Sequence, residues 1–125
     1  MAPNISIAAM NEISDHIWPK SANRNNDGAL VISGLDVREI SHKYPTPLFI
    51  LDETDLINRV QKYMKSFSKA SHGNKLTKET KIFYASKAFT SSLFIKLIVN
   101  EGMGVDVATE GELRVALAGG CKPEN

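Results

Sequence analysis

Cysteine is almost absent: Cys121 is the only one in 125 residues, which excludes an internal disulfide framework and argues against a four-ligand Cys/His zinc site. The three histidines, His16, His42 and His72, lie in polar or loop-like stretches without metal-ligand spacing, so no metal is expected. A surplus of charge is missing as well. Fifteen Lys and Arg against 14 Asp and Glu leave a net charge of +1, far from the basic balance typical of nucleic-acid binding. No stretch approaches the roughly 18 to 20 apolar residues that span a bilayer. The N-terminal segment "MAPNISIAAMNEISDHIWPK" has an apolar patch but no basic run before it, and Glu12 and Asp15 follow closely. No signal peptide is read there. These absences lead us to expect a soluble protein of a reducing cytoplasm, with neither nucleic acid nor membrane involved; charge itself points to no partner.

What the chain does have is a core's worth of apolar side chains, 42% of its residues, in the length of one ordinary domain. Residues 1–26 are polar and unpatterned and are read as a disordered N-terminal extension. Asp27-Gly28 marks a turn before "ALVISG", a strand candidate; "DVREISHKY" is a short helix closed by the prolines of "PTP"; "LFILD", 48–52, reads as a second strand. Residues 27–52 thus form a strand-helix-strand lead-in.

From Asp52 or Thr54 the apolar period becomes 3.6 residues. Leu56, Ile57, Val60, Tyr63, Met64 and Phe67 share one helical face. The lysine-rich "SKASHGNKLTKET", 68–80, reads as a solvated linker. A strand over 81–87 follows, then a helix from about Ser91 to Glu101 that buries Leu93, Phe94, Leu97 and Ile98, with Gly102 as its left-handed cap. "GVDVA" is strand again. Thr109 and Glu112 have the spacing of a capping box, starting a helix that ends at Gly119-Gly120.

Strand alternating with helix is the mark of a parallel sheet with helical crossovers. A (β/α)8 barrel takes roughly 200 to 250 residues, so residues 53–125 are expected to hold only its first βα units, in an N-terminal portion of a larger enzyme. The "GMG" and "AGG" stretches read as helix ends, not as phosphate cradles.

One residue stands out within "KIFYASKAF", 81–89. Along a strand Phe83, Ala85 and Lys87 share a face, and Lys87 falls at the C-terminal end, where parallel α/β proteins gather catalytic groups. A lysine there is either a solvated strand-end residue or an amine whose pKa falls among apolar neighbours, becoming a nucleophile able to form a Schiff base. Asp106 occupies the matching place on the next strand. It either pairs with a cation, for which Lys87 is the obvious choice, or is a turn residue before the helix. For Glu112 the capping box is a sufficient explanation.

"YASKAF", followed after 16 residues by "DVATEGEL" and preceded by "DGALVISGLDVREISHKYPTPLFILDE", resembles the N-terminal part of the diaminopimelate decarboxylases, collinear from about Trp18 to Asn125. The resemblance implies the alanine-racemase-like barrel class, whose lead-in strands join a C-terminal β-domain. It implies pyridoxal 5'-phosphate as cofactor and decarboxylation of meso-2,6-diaminopimelate to L-lysine, in a full-length enzyme that is a homodimer. It also implies that Lys87 carries the cofactor as an internal aldimine, that Asp106 lies beside it as a cofactor-binding and catalytic residue, and that Glu112 is a further catalytic residue. The Y-A-x-K motif is shared with ornithine and arginine decarboxylases and racemases of the class. Such an enzyme, or a truncated chain without catalysis, is the alternative.

Overall fold

Turn chemistry shapes the first of the two units into which the chain divides, Met1–Asp55 and Leu56–Asn125. The structure, a computed structural model, describes residues 11–14, 16–73 and 80–125. Strand β1 (Asn23–Arg24) and strand β2 (Leu30–Ile32) form an antiparallel hairpin. Its turn is closed by Asn25, whose side-chain oxygen accepts from the N–H of Asp27 (3.1 Å) and Ala29 (2.9 Å), with Gly28 at φ 76°. A second tight turn, Ser33 at φ 50° and Gly34 at φ 80°, leads into β3 (Leu35–Asp36), antiparallel to β2. Two successive positive φ angles match the twist of a two-residue hairpin. Helix α1 (Val37–Lys43) starts on Asp36, whose carboxylate accepts from Arg38 N at 2.8 Å and pairs with its guanidinium at 2.6 Å.

Two expectations are corrected here. Residues 23–24, inside the stretch read as disordered, are paired strand. Residues 48–52 do not form the expected strand. Alternation makes a segment extended, but a strand needs a hydrogen-bonded neighbour, and none of the described residues supplies one. Phe49 is consequently fully exposed, with Leu48, Ile50 and Leu51 about half so.

Helix α2 (Glu53–Gly73) begins where Asp52, buried, accepts from Asp55 N at 3.0 Å and from the Ser21 hydroxyl. The Ser21 bond holds the Asp52 carboxyl below its usual range, against the opposing effect of burial. The helix consumes the first residues of the expected linker, 68–73; residues 74–79 of that linker, the His72 side chain, and residues 1–10 and 15 lie outside the described residues.

In the second unit, β4 (Phe83–Ala85) and β5 (Gly104–Asp106) pair in parallel, Phe83 opposite Gly104 and Ala85 opposite Asp106. Helix α3 (Ser92–Asn100) makes the crossover, and α4 (Glu110–Ala118) follows β5. Both helices end in Schellman caps: Met103 N reaches Ile98 O (3.2 Å) past Gly102 at φ 90°, and Cys121 N reaches Ala116 O (3.0 Å) past Gly120 at φ 90°. The glycine stretches are therefore helix ends, as expected. The core is Val60, Phe94, Ile95, Ile98, Val105, Ala116 and Cys121, with Leu56 and Met64 packed against it.

The apolar stripe of α3 is rotated from its expected position. Ile95 is fully buried with Phe94 and Ile98, while Leu93 is 66% exposed and Leu97 only half-buried. On α2 the inner line is Leu56, Val60 and Met64; Tyr63 and Phe67 are exposed. A 3.6-residue period tells which residues are neighbours on a helix but not which edge of a broad apolar face meets the core.

Candidate functional site

The parallel pairing brings the C-terminal ends of β4 and β5 side by side, and the residues that follow define the site. Ladder pairing stops at Ala85 and Asp106. Beyond Ala85 the chain enters one turn of 3-10 helix, Ser86–Ala88, with Lys87 at its centre. This corrects the expectation that Lys87 shares a strand face with Phe83 and Ala85, since the alternation of a strand ends where the backbone leaves the sheet. Of the two readings of this lysine, solvated or desolvated among apolar neighbours, the structure has the solvated one. Lys87 is exposed, because it rides on a turn at the lip of the sheet.

Three side-chain bonds fix that turn. The Ser86 hydroxyl, fully buried, donates to the Asp106 carbonyl at 2.8 Å. Thr90 Oγ1 donates to the Ser86 carbonyl at 2.6 Å, alongside Phe89 N at 3.1 Å. The Tyr84 hydroxyl donates to the Phe89 carbonyl at 3.0 Å. Tyr84 and Phe89 both pack on Phe94, with ring centroids 4.9 and 5.4 Å away, and burial pushes the Tyr84 phenol up from its ordinary pKa, keeping it a donor.

Asp106 ends β5 with its side chain exposed. Among the described residues no ion pair joins it to Lys87, so of its two readings the pairing is not formed; both groups reach solvent at the same sheet edge. Glu112, half-buried at the third position of α4, closes the capping box: its carboxylate accepts from Ala108 N (2.7 Å) and Thr109 N (3.1 Å), and Thr109 Oγ1 accepts from Glu112 N (3.2 Å). The Ala108 N–H, more than any other group, holds this carboxyl below its ordinary range, with the Thr109 N–H adding to it. Glu112 is thus an anion already committed to backbone donors, suited to shaping the field at the sheet edge and unsuited to taking a proton.

Chemically, the edge offers an uncrowded primary amine with two carboxylates on the adjoining strand end and helix start. An amine so placed can condense with an aldehyde. The donor set therefore fits an aldehyde cofactor held through Lys87. Sequence reasoning gave no role to Ser86 or Tyr84. The available signal was a small polar residue interrupting an apolar strand directly before the lysine.

Residues 55–125 match the family model described as "Pyridoxal-dependent decarboxylase, pyridoxal binding domain". Diaminopimelate decarboxylase of Corynebacterium efficiens is 34% identical over 108 residues, 86% of this chain and 22% of that protein. The enzyme of the same name from Mycobacterium tuberculosis is 33% identical over 118 residues, 92% of this chain and 24% of that protein. A crystal structure of diaminopimelate decarboxylase from M. jannaschii superposes with a TM-score of 0.74 at 26% identity, over 82% of this chain and 23% of that one. The same enzyme in complex with L-lysine gives a TM-score of 0.71 at 27% identity. The chain spans under a quarter of the length of these relatives.

Proposed function

The chain belongs to the pyridoxal-dependent decarboxylases, through their pyridoxal-binding domain, and from that premise we propose that it serves the decarboxylation of meso-2,6-diaminopimelate to L-lysine and carbon dioxide. The observation that carries this reading is the agreement of relatives from several bacterial groups, at 33 to 34% identity, on one named enzyme. The βα units around β4 and β5 are then the opening units of a (β/α)8 barrel, and the antiparallel strands β1–β3 are the lead-in that meets a separate β-domain. The working protein is a homodimer.

Pyridoxal 5'-phosphate, when bound, supplies an electron sink for the pair left behind as carbon dioxide departs. Lys87, in the turn that follows β4, would hold it through its ε-amine. Asp106, on the same edge, stabilises the Lys87 ammonium whenever that amine is free. Glu112 keeps a fixed negative charge beside both, because its bonds to Ala108 N and Thr109 N disfavour protonation.

The test is chemical trapping with turnover. The protein incubated with pyridoxal phosphate and reduced with borohydride should carry a pyridoxyl group on the peptide containing Lys87, and Lys87→Ala should lose it along with nearly all activity. meso-Diaminopimelate should release carbon dioxide and L-lysine, with L-ornithine and L-arginine poor substrates. A label on another lysine, or faster release from ornithine, overturns the reading.

A further inference from the structure

We infer that Ser86 is a positioning residue for the cofactor lysine: its buried hydroxyl bonds the Asp106 carbonyl across the β4–β5 pair, clamping the Lys87 turn to the strand end that bears Asp106. The inference rests on the reading of Lys87 given above. The backbone ladder closes at Ala85 opposite Asp106. The Ser86 hydroxyl reaches the carbonyl of that last paired residue, Asp106, at 2.8 Å and with no exposure to solvent. In the same residue the carbonyl is held by Thr90 Oγ1 and Phe89 N. Ser86 is therefore fixed on both sides, and Lys87 inherits its position from a neighbour that cannot drift.

A solvent-exposed lysine with no ion-pair partner among the described residues has nothing of its own to hold it near Asp106. Freed of the Ser86 rung, the turn can fray at its first residue. The apparent affinity for an aldehyde cofactor then falls in proportion to the fraction of molecules with the turn in place. The loss of one net buried hydrogen bond corresponds to up to about tenfold in the equilibrium between formed and frayed turn, which is the upper bound on the fall in that fraction.

The experiment measures cofactor affinity at Lys87 from the yield of borohydride-fixed pyridoxyl adduct at increasing pyridoxal phosphate, together with amide exchange over 87–89. Ser86→Ala should weaken the affinity measurably, by up to about tenfold, and speed exchange at those amides, with the residual adduct still on Lys87. Ser86→Thr, which keeps the hydroxyl but adds a methyl at a packed position, should lower thermal stability yet trap the cofactor nearly as the parent does. That split separates positioning from general stability. If Ser86→Ala does not fold, Ser86→Cys, which fills the space with a weak donor, is read in its place with the same expected loss. Unchanged affinity in the variant lacking the hydroxyl overturns the inference. A label on another lysine in the unmutated protein instead overturns the assignment of Lys87 itself.

Discussion

Gly119 and Gly111 bracket one helix, and replacing each by alanine should move stability in opposite directions. At Gly119 the backbone is ordinary (φ −78°, ψ −3°), so an alanine meets no conformational penalty there. The obstacle is space. A Cβ would lie 2.6 Å from Ile95 Cγ2, 2.7 Å from Ile95 Cβ and 2.9 Å from the Ser92 carbonyl oxygen. Carbon atoms settle at about 3.5–4.0 Å, Ile95 is fully buried, and the Ser92 carbonyl belongs to the backbone of α3. Nothing there yields cheaply, so α3 and α4 must separate, at a cost of about 1–3 kcal/mol. At Gly111, in the first turn of α4, the nearest atom to an added Cβ is Thr109 Oγ1 at 3.9 Å. Alanine there only reduces the freedom of the unfolded chain and stabilises by about 0.4–1 kcal/mol. Urea titration reads both. With a slope of about 1–3 kcal/mol per molar, Gly119→Ala should lower the midpoint by roughly 1 M and Gly111→Ala should raise it slightly, at equal slope. A Gly119→Ala midpoint equal to or above that of the parent would refute the packing account of this helix pair.

Glu112→Gln should show a pH signature. The folded pKa of Glu112 is lowered, so its stabilisation is fully present above the ordinary glutamate value and lost as pH falls through the folded one; the parent's advantage over the variant in urea titrations should shrink over that acidic range, and a constant gap would exclude the carboxylate's charge as its source. Phe94→Ala should cost about 3–5 kcal/mol and also speed amide exchange over 86–89, since Phe94 supports both Tyr84 and Phe89; a loss below about 1 kcal/mol would contradict its place in the core.

Much of the second unit was legible in its residues. Gly102 and Gly120 carry the positive φ that ends a helix, and Thr109 with Glu112 forms the reciprocal cap their spacing implied. Such features depend on a few neighbouring residues, which is why sequence reveals them. The strand over 48–52 failed for the opposite reason, because pairing depends on a distant partner that alternation does not specify. The missed strands β1 and β3 are two residues each, too short for any period to register. At the site, the sequence marked Lys87, Asp106 and Glu112 but set Lys87 inside a strand. The backbone's departure at Ser86 is written only in a buried hydroxyl finding a carbonyl 20 positions away.

The open stretch at 48–51 has a consequence for the behaviour of many molecules together. Leu48, Phe49, Ile50 and Leu51 combine high β-propensity with no charge, and Phe49 is wholly in solvent, the composition of segments that stack with copies of themselves. Pro45 and Pro47 on one side refuse ladder bonds, and the exposed Glu53 on the other adds repulsion at the end of such a stack. The stretch between them is short, which limits how much of a zipper it can nucleate. Concentrating or freezing the protein works against this segment through collisions between molecules, whereas heat works against the core of each molecule alone, so added salt and added denaturant should distinguish the two routes of loss.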